Sequence, residues 1–321
     1  MVKEFTQAMR KEIAKIYIGK EKQIGLMLAS ILCGGHVLLD DLPGSGKTTL
    51  VKTMSKALGC DYHRIQFTPD LLPSDVIGNT VFDQKSASFR QIRGPVFTNI
   101  LLADEINRAI PRTQSALLEA MEEGQVTIDD QCLKLPQPFL VLATQNPVEQ
   151  ESTFALPAAQ LDRFMMKLTL GFPTKEEEKK MLETLGNESD FECVEAVSSP
   201  QELLSLREEV KAVYSSEAIR AYIVDLVQAT RERKSFAAGA SPRSSRSLYQ
   251  ASKAVAAMEG RNYVLPEDVR GLVLPLMSHR VLLSDEAYYE GRSIEAELKD
   301  IVDSIPVPPS KEKMIYEAEG K

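Results

Sequence analysis

Two short strings hold the residues with the clearest chemistry. The first is Pro43-Gly44-Ser45-Gly46-Lys47-Thr48-Thr49. Its glycines let backbone N–H groups close around an anion, and a helix opening at Lys47 adds the partial positive charge of its N-terminus. Lys47 can reach the outer phosphates of a nucleotide, and the Thr48 hydroxyl is a hard oxygen ligand for Mg²⁺. The strict phosphate-loop signature fails at one place, because Asp41 stands where its first glycine belongs. A carboxylate so close to phosphates must point away from them. The second string is Asp104-Glu105, which closes the apolar run Asn99-Ile100-Leu101-Leu102-Ala103. A carboxylate at a buried strand end can hold Mg²⁺ directly or through water. The adjacent glutamate can orient and deprotonate an attacking water. Alone, the first string could be chance and the second two surface acids. In this order they predict binding and hydrolysis of ATP with magnesium.

The elements that must position these residues follow from the apolar pattern. His36-Val37-Leu38-Leu39 is a short buried run leading into the glycine-rich turn, followed by a helix from about Lys47 to Leu58 and a stop at Gly59. Residues 99–103, Phe139–Ala143, Met165–Leu170 and Tyr62–Phe67 read as further strands. Strands separated by helices predict an α/β fold with a parallel sheet covered on both faces. Two segments break the alternation. Asp83–Gln91 is polar and reads as an insertion, and Gln125–Leu135 reads as a β-hairpin turning at Asp129-Asp130. After Pro173 strand patterns vanish. Thr174 suits a helix cap before Glu176, Glu177 and Glu178. Glu217–Thr230 carries apolar residues at helical period, and Ser241-Pro242 and Leu265-Pro266 open two more helices. The expected organisation is an α/β core over residues 1–190, then a small all-α domain over 191–321 that ends in a loosely held tail.

Bulk properties narrow the partners. The 321 residues carry a net charge of −8, with a pI near 5.2, which disfavours a protein whose main ligand is the DNA backbone. Apolar residues at 43% and charged residues at 26% are ordinary for a soluble domain pair. Cys33, Cys60, Cys132 and Cys193 are scattered with no Cys-x-x-Cys pair, and His36, His63 and His279 are dispersed, so neither a disulfide framework nor a zinc site is expected. No apolar run approaches the roughly 20 residues that span a bilayer, and no leader pattern opens the chain. The expectation is a cytoplasmic protein without direct membrane insertion.

Four stretches together resemble the MoxR family of AAA+ ATPases: HVLLDDLPGSGKTTL, ADEINRAIPRTQSALLEAMEEGQVTI, ATQNPVEQESTFALPAAQLDRF and GASPRS. The resemblance spans about residues 1–280. It implies an AAA+ core with a helical lid and a hexameric ring with ATP-Mg²⁺ at each subunit interface. Asn146 would be the sensor-1 residue, although an Asn before Pro147 can equally be a turn residue. Arg163 in LDRF would be the arginine finger reaching a neighbour's ATP, the bland alternative being an edge residue with a snorkelling stem. Arg108 and Arg112 are alternative or additional contacts in trans, with a solvated surface position as the favoured reading. Arg243 would be the sensor-2 arginine of the lid, with Arg246 as its competitor. Its place in the first turn of a helix opposes the macrodipole, which suggests an anion nearby. Ile18 and Gly19 would border adenine, and the two insertions would face a pore or client. The implied role is that of a chaperone-like remodeler, often of partners with a von Willebrand factor A domain. A DNA-directed AAA+ motor and a nucleotide-gated scaffold are the alternatives.

Overall fold

The structure is a computed structural model that describes residues 1–42, 44–85, 87–146, 153–184 and 191–308. Helices α1 (Val2–Ala14) and α2 (Glu21–Cys33) precede β1 (Val37–Asp40), α3 (Lys47–Ala57) and β2 (Tyr62–Gln66). Next come α4 (Pro73–Ile77), the hairpin β3 (Gly78–Asp83) and β4 (Ser88–Arg93), then β5 (Ile100–Asp104) and α5 (Pro111–Glu123). A second hairpin, β6 (Gln125–Ile128) and β7 (Gln131–Lys134), leads to β8 (Leu140–Gln145), α6 (Ala158–Leu161) and β9 (Met166–Leu168). The remainder is α7 (Lys175–Thr184), α8 (Pro200–Ala212), α9 (Glu217–Glu232), β10 (Phe236–Ala238), α10 (Pro242–Met258), α11 (Pro266–Arg270), α12 (Val273–Met277), β11 (Leu282–Leu283), α13 (Asp285–Tyr289) and α14 (Ile294–Ser304).

Five parallel strands form the central sheet in the order β2-β5-β8-β1-β9. The pleat sends alternate side chains to opposite faces, and both faces are apolar. Ile100 and Leu102 of β5 join Val37 and Leu39 of β1 in one cluster, while Leu101, Ala103 and Leu38 join the other. This is why the strands read as continuous apolar runs rather than as alternating ones. The first cluster also takes in α1, α2 and α3 together with Leu203, Ile219, Leu226, Leu248 and Leu276, so the C-terminal helices share a core with the sheet. The second face is covered by α5 through Leu117, Leu118 and Met121.

Two elements differ from the sequence-based expectation. The polar stretch within residues 83–91 belongs to a hairpin in which Gly78 pairs with Arg93 and Asp83 with Ser88. Its large apolar residues face outward: Phe82 and Phe89 are 54% and 76% exposed and meet edge to face at 5.3 Å. With no buried face, the hairpin leaves no core-facing alternation to read. The C-terminal part, expected to be all helical, also contains the antiparallel pair β10–β11, too short to show a period. The β6–β7 hairpin lies where expected, turning at Asp129 (φ 53°). Thr174 accepts from the Glu177 amide at 3.3 Å and Glu177 from the Thr174 amide at 2.7 Å, closing a capping box. Ser241 does not cap α10 with its side chain. Its hydroxyl lies 3.2 Å from Asp162 Oδ2 instead. Most of the tail, residues 309–321, lies outside the described residues.

Candidate functional site

The carboxyl ends of three adjacent strands bring the phosphate-loop and acidic residues together. β1 feeds the loop, β8 ends beside Asn146, and β5 ends in Asp104. Neighbouring strands lie about 4.8 Å apart, so β1 and β5 are about 10 Å apart with β8 between them. That places Asn146 between Lys47 and the Asp104-Glu105 pair.

The loop is shaped for close approach. Gly44 has φ 82° and open space where a Cβ would stand. Gly46 has φ 78°, and a Cβ there would come 3.0 Å from the Tyr17 ring. Pro43 lies outside the described residues. The Tyr17 hydroxyl donates to the Ser45 carbonyl at 3.2 Å. Burial, with the charges of Asp41 and Glu177, pushes the Tyr17 phenol up to about 12, so it remains a donor. The Ser45 hydroxyl is buried without a partner among the described residues. Lys47 Nζ rests on the carbonyls of Asp41 and Leu42 at 2.7 and 3.2 Å, and Thr48 and Thr49 follow in the first turn of α3. Ile18 and Gly19 follow Tyr17 directly. Gly19 has φ 82°, a backbone conformation that residues with a side chain rarely adopt, and a Cβ there would displace the end of the Glu177 side chain.

Asp41 turns away from the loop. Its Oδ2 accepts from the amides of Leu170 and Gly171 at 2.7 and 3.0 Å, and its Oδ1 from Leu42 at 3.0 Å. It is 4% exposed. The carboxylate therefore ties the end of β1 to the chain leaving β9.

The acidic end of β5 is set by residues that the sequence did not single out. Thr144 of β8 donates to Asp104 Oδ1 at 2.6 Å and accepts from the Glu105 amide at 2.8 Å. One hydroxyl thus fixes both acids, and Glu105 leaves the strand at φ 55°, uncommon for a residue with a side chain. From β2, Arg64 Nη2 reaches Asp104 Oδ2 at 2.6 Å and Gln66 donates to Glu105 Oε2 at 2.7 Å. Arg108 donates to the same Glu105 oxygen at 2.9 Å. Arg64 and Gln66 lie on the edge strand, where the register sets Gln66 opposite Asp104. Only the strand order reveals that adjacency. No cluster of three or more His, Cys, Asp or Glu side chains suited to a metal occurs among the described residues. The donors present fit Mg²⁺ all the same, because that ion is held by one or two protein oxygens together with substrate phosphates. Thr48 and Asp104 offer the protein share.

The two arginines of the resemblance lie elsewhere. Arg163 Nη2 pairs with Glu122 Oε2 at 3.1 Å and Arg243 Nη2 with Glu122 Oε1 at 2.6 Å. Arg243 Nε is also 3.9 Å from Asp162. They share a cavity of about 390 Å³ with Gly35, His36, Met165 and Arg280. These residues mark the amino ends of β1 and β9, opposite the phosphate loop. The residues from His36 to Asp41 span about 17 Å at about 3.3 Å per residue. The arrangement with Arg243 over its own chain's phosphates, as a lid sensor, is therefore not the one observed. The anion suggested by its helix position is present, and it is Glu122. Arg163 is also braced by the lid. His279 bonds the Phe164 carbonyl at 3.0 Å, and Arg280 donates to it at 2.9 Å and to the Asp162 carbonyl at 3.3 Å. Arg112 lies exposed in the first turn of α5.

A nucleotide-binding α/β core with a phosphate loop, an acidic strand end and a following helical domain defines an AAA-type ATPase. The description "ATPase family associated with various cellular activities (AAA)" matches residues 36–166, and that of an AAA lid domain matches residues 228–301. Chaperone MoxR1 of Mycobacterium tuberculosis is 39% identical, covering 92% of this chain and 81% of its own. Protein MoxR of Paracoccus denitrificans is 35% identical, covering 91% and 93%. An uncharacterized Bacillus subtilis protein, YeaC, is 46% identical over 93% of each chain. The solved structure of a Cytophaga hutchinsonii protein superposes with a TM-score of 0.90 at 41% identity, covering 96% of each. The chain belongs to the MoxR family of AAA+ ATPases. No described helix is long and apolar enough to cross a membrane.

Proposed function

We propose that the protein is a MoxR-type remodeler that hydrolyses ATP at sites completed between subunits of a ring. Its division is a nucleotide-binding core over residues 1–190 and a lid over 191–321. Gly44, Ser45, Gly46, Lys47, Thr48 and Thr49 hold the phosphates, Ile18 and Gly19 border the base, and Thr48 and Asp104 hold Mg²⁺. The metal, when bound, neutralises charge on the phosphates. Glu105 orients the attacking water and takes its proton, with Asn146 beside it. Arg163 and Arg243 meet the nucleotide of a neighbouring subunit, most simply in a hexamer.

The observation that supports this reading best is the separation within one chain. Lys47, Asp104 and Glu105 stand at one end of the sheet, and Arg163 and Arg243 at the other. Phosphoryl transfer gains about 10³–10⁵ in rate from a cation supplied at the transition state. Arg64 and Arg108 of the same chain are tied to Asp104 and Glu105, and we assign that cation to Arg163 of a second copy. Two defective chains therefore test the reading together. Glu105→Gln and Arg163→Ala are each expected to lose turnover by at least about a hundredfold while binding nucleotide. Mixed in equal amounts, they regenerate interfaces with both groups intact and recover a substantial part of the activity. Failure of the mixture to recover any activity, with assembly verified, would sink the shared site.

The work done with this energy falls in the same proposal. The family, together with the exposed Phe82 and Phe89 on a projecting hairpin, suits action on a protein partner, with von Willebrand factor A domain proteins as the first class to try. The client is sought among proteins that co-purify with the Glu105→Gln chain in ATP and are released by ADP.

A further inference from the structure

A second cavity, of about 550 Å³, lies between α2, α8 and α10, away from the phosphate loop. Its floor is apolar, made by Leu32, Leu204 and Val210, and the Tyr249 ring stands at its side. Four cations line it, Arg207, Lys211, Arg246 and Lys253, against one carboxylate, Glu208. Glu208 is already paired with Lys211 at 2.6 Å. Among the described residues, three positive charges are left without an acidic partner, in a chain whose net charge is −8.

Arg207 is the group that most needs explanation. Its Nε donates to the Ile31 carbonyl at 3.1 Å, at the negative end of α2. Its Nη2 is buried and has no hydrogen-bond partner among the described residues. The ionisable groups around it include the Cys33 and Cys60 thiols and the His36 ring, none of them a carboxylate, and burial lowers its pKa. A guanidinium stays charged in such a site, and an unpaired buried charge is costly until an anion meets it. Lys253 is also held in place, with Nζ 2.8 Å from the Lys211 carbonyl and 4.7 Å above the Tyr249 ring.

The adjoining cavity with Arg163 and Arg243 provides an internal contrast. The two cavities share Cys33, Arg246 and Gln250. There Arg163, Arg243 and Arg280 each face Glu122 or Asp162, whereas here, among the described residues, Lys211 alone has a carboxylate partner. We propose that this groove binds a small molecule carrying a phosphate or diphosphate group, with an apolar or aromatic part against Leu32, Leu204 and Tyr249. Three unmatched cations suit a multiply charged anion better than a single carboxylate, and a planar fork such as that of Arg207 suits phosphate oxygens. The volume lies within the range of small-ligand sites. The Arg246 side chain, at the junction of the two cavities, would sense both.

The test uses the full chain with Lys47→Ala, which disables the phosphate loop. Inorganic pyrophosphate and ADP are titrated by calorimetry near physiological salt. One saturable site per chain is expected, with ADP at least tenfold tighter than pyrophosphate. Adding Arg207→Gln weakens both at least tenfold, and adding Tyr249→Ala removes the advantage of ADP. Adding Arg163→Ala changes neither. Melting curves verify folding, and Arg246→Gln, on an exposed residue, serves as the second variant with the same expected direction. No saturable binding to the Lys47→Ala chain would overturn the proposal. So would binding indifferent to both Arg207→Gln and Arg246→Gln, or binding lost with Arg163→Ala. Equal affinity for the two probes would overturn the role of the apolar floor. None of these results depends on turnover, so they are read separately from the shared-site hydrolysis.

Discussion

Asp41 shows how one side chain can look wrong for a site and be right for the fold. It occupies the position of a phosphate-loop glycine, yet its carboxylate accepts three backbone amides, two of them from Leu170 and Gly171. The Leu170 amide is buried with it and the Gly171 amide is partly buried, and leaving a buried donor without an acceptor costs about 1–3 kcal/mol. Asp41→Ala is therefore expected to lower unfolding stability by about 2–4 kcal/mol, and Asp41→Asn by less, because an amide oxygen can still accept. Urea titrations check this. Nucleotide affinity measured below the unfolding transition should not improve in either variant. A gain in affinity would mean that the charge does repel phosphate. The loop itself was legible in the sequence because its chemistry is local: glycines, lysine and threonine at fixed spacing. Arg64, Gln66 and Thr144 were not legible. Each reaches the acidic pair across a strand boundary, about 40 residues away in sequence, and nothing local marks them.

At the level of elements, His36 joins three pieces of the core. Its Nδ1 accepts from the Val141 amide at 2.9 Å, and its Nε2 lies 3.1 Å from the Met121 carbonyl, so β1, β8 and α5 meet at a neutral ring that donates from Nε2. Burial, with the nearby Arg207 charge, pulls its pKa from 6.5 down to about 4. The folded state thus binds fewer protons than the unfolded chain between those values, and stability must fall as pH drops through that window. The full shift corresponds to about 3 kcal/mol, most of it felt by pH 4.5. Stability of the native chain should decline accordingly from pH 7 to 4.5. His36→Gln should show a pH slope shallower by about 2–3 kcal/mol over that range, whatever its stability at neutral pH. Parallel slopes for the two chains would show that His36 does not titrate this way. His279, buried and pulled down to about 3, contributes in the same direction and remains in both chains. The elements themselves were readable in proportion to their burial. The inner sheet strands β1, β5 and β8 are apolar runs, the edge strand β2 is largely polar and exposed, and the β6–β7 hairpin alternates around an acidic turn. The β3–β4 hairpin, exposed on both faces, has no burial pattern to betray it.

For the whole molecule, the placement of the lid was the least legible feature, because helical period says which face is apolar and not which surface it meets. The lid helix α10 packs on α2 and α1, which sets Arg243 beside Arg163 rather than over Lys47. Both arginines are then held by Glu122, whose side chain is 40% exposed. Ion pairs this open to water contribute about 1 kcal/mol or less each. The restraint is thus weak enough for a neighbour's nucleotide to displace and strong enough to bias the free chain. In the proposed ring, the arginines must leave Glu122 to engage that nucleotide, and the energy lost reduces the tendency to assemble. Glu122→Gln removes the competing charge while keeping the shape. In that variant, half-maximal turnover should come at a protein concentration about five- to tenfold lower than in the native chain, and the advantage should shrink as salt screens the pairs. Turnover measured across protein concentrations, with sedimentation to follow assembly, decides the point. A shift to higher concentration would mean that Glu122 presents the arginines to the neighbour instead of withholding them.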